Sequence, residues 1–135
     1  MKSALIAIGL LAAGPAASTA DLAAWSGPYS DVRYIAEADD YVGTNLEILP
    51  ESLPKVRYEL CEGWCNGATV YPATLEYGVL RFTVRDAVFN GDGSPATPFV
   101  YRVEVRPIRT IFGRRLLVSS PDLEEMRARL KPVRR

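Results

Sequence analysis

The clearest structural pattern in this chain occupies residues 55–60, which read Lys55-Val56-Arg57-Tyr58-Glu59-Leu60. Every second side chain in this stretch is apolar, and the side chains between them are charged. Successive side chains of an extended strand point to opposite faces of a sheet. The alternation therefore predicts a strand with one buried face and one solvated face.

The same period of two recurs on both sides of this stretch. Further alternating runs lie at residues 32–36, 42–48, 80–84, 99–105 and 114–119. Pro72 interrupts a weaker run at residues 68–76, which predicts an edge strand or a bulge because proline cannot donate a ladder hydrogen bond. About seven or eight closely spaced strands predict an all-β, mainly antiparallel fold, either a small β-barrel or a β-sandwich. The strand spacing resembles that of lipocalin-like folds, a resemblance that implies architecture and no particular function.

A short C-terminal helix is predicted as the last element. Ser120 is a favourable N-cap and Pro121 suits the first helical position. Acidic residues follow the cap and basic residues lie toward the other end, as the helix dipole favours. Leu123, Met126 and Leu130 share the spacing of one apolar stripe. The pattern predicts a helix that packs on the sheet or closes the end of a barrel.

The first twenty residues have the features of a secretory signal peptide. Lys2 precedes ten residues without charge, and small residues lead up to a cut after Ala20. The apolar run is too short to span a bilayer, and no later segment is long and apolar enough to do so. We therefore expect residues 1–20 to be a signal peptide and residues 21–135 to be a single β domain that is exported, periplasmic or secreted.

The two cysteines form the sharpest local motif. Cys61 and Cys65 enclose three residues, and a disulfide is the expected state of two cysteines in an exported chain. A tight turn at Asn66-Gly67 would instead keep both cysteines on one strand, too far apart to join. Thiol–disulfide exchange is disfavoured, because the spacing is C-x-x-x-C and no helix follows to lower a thiol pKa.

The composition limits the chemistry available to this protein. The chain has 16 basic and 16 acidic residues and no histidine. The charge balance argues against nucleic acid as a partner, and the lack of histidine excludes histidine-dependent triads and metal sites. The sequence assigns no catalytic residue, no metal ligand and no cofactor, and it favours a protein without enzymatic activity.

Aromatic residues are the remaining candidates for binding. Trp64, Tyr71 and Tyr77 lie in turns or near a proline break, where exposed aromatic rings commonly anchor partners. Five other rings fall on the apolar phase of a predicted strand and are expected in the core: Tyr34, Tyr58, Phe82, Phe99 and Tyr101.

The near-zero net charge conceals a polarity along the chain. Residues 21–78 carry ten acidic and three basic residues, a net charge of −7. Residues 79–135 carry twelve basic and six acidic residues, a net charge of +6. The two segments can pair within one molecule, or they can present opposite patches for self-association or for a charged partner.

These features favour an exported, non-catalytic module that binds a small ligand or an envelope protein. One alternative is a small hydrolase or lyase that uses carboxylates in the mouth of a barrel. Another is a structural subunit that associates through its opposite charge patches. Carboxylates that are distant in sequence converge only through the fold, so the sequence leaves these alternatives open.

Overall fold

The computed structural model describes residues 22–134 and confirms an all-β, antiparallel protein. The predicted signal peptide lies outside the described residues. The strands are β1 (Gly27–Ser30), β2 (Arg33–Ile35), β3 (Asp40–Leu49), β4 (Lys55–Gly63), β5 (Thr69–Pro72), β6 (Thr74–Glu76), β7 (Val79–Asp86), β8 (Phe99–Thr110), β9 (Gly113–Ser119) and β10 (Arg127–Pro132). Within residues 22–134, no helix has the length and apolar character needed to cross a membrane.

The ten strands belong to one sheet that does not close. Its order is β5-β4-β3-β1-β10-β9-β8-β7-β6, with β2 paired to β3 outside this path. The two edge strands, β5 and β6, are separated in sequence by Ala73 alone, yet β5 pairs with β4 and β6 pairs with β7. Pro72 has no N–H to donate, and the Ala73 N–H donates to the Pro54 carbonyl instead (2.9 Å). The barrel prediction is therefore wrong for the described part of the chain, because within residues 22–134 no ladder joins the two edges.

The two halves of the sheet face each other across one hydrophobic core. Tyr58 of β4 packs edge-on against Phe82 of β7, with ring centroids 5.4 Å apart. On β4 the predicted alternation is confirmed, since Val56 and Tyr58 are buried while Lys55 and Arg57 are exposed. The other buried members of the core come from both halves of the sheet and from the N-terminal turn: Leu22, Tyr29, Leu46, Ile48, Leu80, Val84, Tyr101, Val103, Val105, Leu116, Val118 and Leu130.

Two of the five aromatic residues predicted for the core lie elsewhere. Tyr34 is 51% exposed and Phe99 is 49% exposed, whereas the other three rings are buried. Tyr34 belongs to the short strand β2, which pairs only with the first residues of β3 and lies beyond the core. Phe99 is the first residue of β8 and stands at the end of the sheet.

The predicted C-terminal helix is absent from the described structure, and β10 takes its place. Ala128 and Leu130 point inward, and Leu130 is fully buried, while the alternate basic residues Arg127, Arg129 and Lys131 are exposed. β10 pairs with β9 on one side and with β1 on the other. A helix would leave both neighbouring strands with unpaired backbone groups, a cost that outweighs the local helix preference.

The antiparallel order places the connections of the sheet at two opposite ends. We call residues 31–41, 62–68, 85–99 and 119–127 the acidic end, since they contain ten carboxylates and three arginines. We call residues 22–27, 49–55, 72–79, 109–115 and 131–134 the basic end, since they contain six basic and two acidic residues. Tertiary structure thus gives the molecule an electrostatic axis.

A helical turn at residues 22–25 covers the basic end of the core. The Trp25 N–H donates to the Leu22 carbonyl (2.9 Å), and the Leu22 side chain is buried. The guanidinium groups of Arg109 and Arg114 lie 5.5 and 5.7 Å from the centre of the Trp25 ring. Contacts of this kind combine cation–π attraction with burial of the arginine stems.

Candidate functional site

A cavity of about 640 Å³ lies at the acidic end of the molecule. Part of its wall is apolar and is provided by Leu60, Phe99, Tyr101, Leu123 and Met126. Leu60, Leu123 and Met126 also pack against the core, so the apolar wall continues into the interior of the protein. A concave apolar surface with a few polar groups around it is the usual form of a small-molecule site.

Carboxylates from four separate connections surround this apolar wall. They are Asp31, Glu62, Asp86, Asp122, Glu124 and Glu125. Asp31 follows β1, Glu62 lies near the end of β4, and Asp86 ends β7. Arg127 is the one cationic side chain that lines the cavity among the described residues. The excess of negative charge over an apolar wall favours a ligand that is both cationic and partly apolar.

Close backbone packing fixes the position of Asp31. Its Oδ1 atom accepts a hydrogen bond from the Thr44 N–H (2.6 Å). Gly43 has a φ of +129°, and a Cβ atom there would lie 2.7 Å from Asp31 Oδ1 and 2.7 Å from Val32 Cα. Glycine is required at this position because both the backbone conformation and the space exclude a side chain.

Asp122 fastens the β9–β10 connection over the cavity. Its carboxylate accepts hydrogen bonds from the Arg102 backbone N–H (2.8 Å) and from the Arg102 guanidinium (2.7 and 3.1 Å). The hydrogen bonds from Arg102 lower the pKa of Asp122 to about 2. Instead of starting a helix, this acidic residue ties residues 120–126 to β8, and Leu123 and Met126 consequently line the cavity.

Two buried phenols lie beneath the carboxylates. The hydroxyl oxygens of Tyr58 and Tyr101 are 3.0 Å apart, and both side chains are almost completely buried. Burial is the main cause that raises the pKa of Tyr101 to about 12; the hydrogen bond with Tyr58 opposes the rise, and the negative charges of Asp86 and Glu62 add to it. The hydrogen bond between the two phenols uses the O–H group of one of them as its donor. The O–H group of the other phenol has no acceptor among residues 22–134. Because Tyr101 lines the cavity, the pair can offer this remaining polar capacity to water or a ligand.

The disulfide loop lies beside this cavity. Cys61 and Cys65 are joined, with Cα atoms 4.5 Å apart, in agreement with the predicted pairing. Glu59 holds the loop from below by accepting hydrogen bonds from the Asn45 amide (2.9 Å) and the Gly67 N–H (2.5 Å). Glu59 and the two sulfur atoms lie close enough together to suggest a metal site, but a disulfide has no thiolate to offer a metal.

The three aromatic residues predicted for binding are not brought together. Trp64 is 66% exposed and forms an isolated bridge with Glu62, a residue that lines the cavity. Tyr71 is half-buried and stacks on Phe82, with centroids 5.9 Å apart, between the two edges of the sheet. Tyr77 is 89% exposed and lies at the basic end. Of the three, Trp64 alone is adjacent to the cavity.

The sequence did not identify most of the residues that line this cavity. Several carboxylates lie in turns or on the polar phase of strands, where a solvated position is the usual outcome. The common feature is topological, because each lies where a strand ends or begins at the same end of the sheet. An accurate prediction of strand order would have revealed the cluster, while composition and spacing could not.

Neither a protein family, nor a curated protein, nor a solved structure matches this chain.

Proposed function

We propose that this protein is an exported, non-catalytic binding protein whose cavity at the acidic end takes an organic cation with an apolar part. The juxtaposition of cavity carboxylates with an apolar wall continuous with the core carries the proposal. The disulfide between Cys61 and Cys65 supports an oxidising compartment as its location.

The proposed ligand combines two features because the cavity offers two kinds of surface. Each methylene group buried against Leu60, Leu123 and Met126 contributes about 0.8 kcal/mol. The carboxylates of Glu62 and Asp86 attract the cationic group and disfavour anionic ligands of the same shape. A small alkylammonium ion has this chemistry, and so does a lysine or arginine flanked by apolar residues in an envelope protein.

Isothermal titration calorimetry with four probes tests this proposal. Hexyltrimethylammonium has both features, tetramethylammonium has the charge alone, and hexanol has the apolar stem alone. We expect hexyltrimethylammonium to bind more tightly than either of the other two. A peptide of alternating lysine and leucine distinguishes a protein segment from a small cation as the source of the same chemistry.

A charge-matched pair of variants separates the cavity from general electrostatic attraction. The double variant E62Q/D86N is expected to weaken hexyltrimethylammonium binding about two- to fivefold for each residue, because an exposed ion pair contributes up to about 1 kcal/mol. The control E51Q/E76Q removes the same charge at the basic end and is expected to leave the affinity unchanged. Equal weakening by both variants, or no preference for hexyltrimethylammonium, would overturn the proposal.

A further inference from the structure

The turn between β8 and β9 projects two large apolar side chains into solvent. Ile111 is 93% exposed and Phe112 is 80% exposed. The turn is held by Thr110, whose Oγ1 accepts a hydrogen bond from the Phe112 N–H (3.1 Å) and donates one to the Gly113 carbonyl (3.0 Å). The two side chains are therefore presented by an ordered hairpin tip, a position where small and polar residues are usual.

Three arginines surround this hairpin tip. Arg109 and Arg114 pack on Trp25, and Arg114 also donates a hydrogen bond to the Ala24 carbonyl. Arg115 donates to the Arg114 carbonyl (2.7 Å). Within residues 22–134, none of the three forms an ion pair with a carboxylate. Their positive charge remains available to an external anion.

Other connections at the basic end have the same character. Leu53 is 79% exposed and Tyr77 is 89% exposed, each on a different connection. The two carboxylates of this end, Glu51 and Glu76, form ion pairs with Lys55 (3.3 Å) and with Arg81 of β7 (3.7 Å). The end thus presents several apolar side chains on separate loops together with an excess of unneutralised basic groups.

We propose that the basic end docks on a bilayer surface that contains anionic lipids. Ile111 and Phe112 enter the boundary between headgroups and acyl chains, while Arg109, Arg114 and Arg115 contact the lipid phosphates. Basic residues around a short apolar wedge are the combination that interfacial membrane binding requires. The charge of the end complements an anionic surface.

The shape of this end favours a bilayer over a folded protein partner. A stable protein interface buries about 800 Å² on each partner and is centred on a contiguous packed patch. Here the apolar side chains stand on separate turns, which suits a fluid surface that can accommodate each one. Docking in this way directs the acidic end and its cavity toward the aqueous phase. The inference uses no residue of the proposed ligand site, so either proposal can fail without the other.

Vesicle flotation tests the docking surface. The protein recovered from the cell envelope is mixed with phosphatidylglycerol–phosphatidylcholine vesicles or with vesicles of phosphatidylcholine alone. We expect flotation with the mixed vesicles, weaker flotation with phosphatidylcholine, and loss of binding as salt screens the arginines. Equal flotation with both lipids would overturn the proposed role of anionic lipid.

Three variants assign the binding to individual side chains. I111S/F112S is expected to weaken vesicle partitioning at least about tenfold, because it removes the apolar wedge. R109Q/R115Q is expected to weaken it about fivefold for each arginine on mixed vesicles. The control V88S/F89S alters two exposed apolar side chains at the acidic end and is expected to float as the wild type does.

Two results would contradict the docking surface. Unchanged flotation of folded I111S/F112S, with folding checked by circular dichroism, would remove the hairpin tip from the proposal. A dimer on a sizing column that disappears in I111S/F112S, without vesicle binding by the wild type, would assign the tip to a second copy of this chain instead.

Discussion

Some residues belong both to the core of this protein and to the wall of its cavity. Tyr101 is the clearest case, because it lines the cavity and is hydrogen-bonded to Tyr58 in the core. Each phenol provides the other with a hydrogen-bond partner across the two halves of the sheet, at an O···O distance of 3.0 Å. Burial raises the pKa of both hydroxyls, in the case of Tyr101 to about 12. The neutral phenols are therefore the form that the folded state stabilises.

The pair predicts a specific loss of stability in base. Unfolded tyrosines ionise near pH 10, below the folded-state pKa of Tyr101. The contribution to the free energy of unfolding is therefore complete below pH 10 and is lost as the pH rises toward 12. We expect the free energy of unfolding of the double variant Y58F/Y101F to decrease less above pH 10 than that of the wild type, as measured by urea denaturation at successive pH values.

Single variants at the same pair provide the control. At neutral pH, Tyr101→Phe is expected to cost about 1–3 kcal/mol, because the Tyr58 hydroxyl loses its partner while remaining buried. The double variant should cost less than the sum of the two single changes. Tyr77→Phe, at an exposed position, should change stability by no more than about 0.5 kcal/mol. Strictly additive single effects would contradict a coupled pair.

Among the elements, β10 best illustrates how tertiary pairing overrides a local preference. Residues 127–132 alternate basic and apolar side chains, a period-two pattern, while Leu123, Met126 and Leu130 have helical spacing. The two patterns overlap, and local rules favoured the helix. Pairing with β9 and β1 selects the strand because it satisfies the backbone groups of all three strands.

The register of β10 predicts a large difference in stability between substitutions at two neighbouring residues. Leu130→Ala should lower the free energy of unfolding by about 2–5 kcal/mol, since it leaves a cavity at a fully buried position. Arg129→Ala, one residue away on the exposed face, should change stability by no more than about 0.5 kcal/mol. Urea denaturation of both variants measures the difference, and similar values for the two would contradict the assigned register.

For the molecule as a whole, charge is sorted by end of the sheet as well as by segment of sequence. The acidic end draws Glu62 from the first charge segment and Asp86 from the second, because alternate connections return to the same end. Arg81 and Glu76 form an ion pair that joins the two segments, while the ion pair of Arg102 with Asp122 lies within residues 79–135. The polarity evident in the sequence is consequently converted into an axis with a proposed function at each end.

A shared core predicts that both ends unfold together. Buried residues from both halves of the sheet form one cluster, so no part has a separate core to retain. The variant W64F retains Trp25 at the basic end, and the variant W25F retains Trp64 at the acidic end. The tryptophan fluorescence of each variant therefore reports the unfolding of one end. Within each variant, the midpoint from tryptophan fluorescence should coincide with that from far-ultraviolet circular dichroism. A fluorescence midpoint at one end that precedes the loss of β-structure would contradict a single cooperative unit.

The sequence by itself determined the antiparallel β class and most of the strand positions, and it favoured the pairing of Cys61 with Cys65 over a turn at Asn66-Gly67 that would keep them apart. Each of these follows from local features, namely the period of two, the turn residues and a short loop between thiols. Pro72 by itself predicts an edge strand or a bulge, but only the tertiary structure decided that the sheet stays open there, that residues 127–132 form the strand β10, and that carboxylates converge around the cavity. These depend on which strands become neighbours, and strand order is set by satisfying backbone hydrogen bonds and burying one core, both of which are properties of the whole chain.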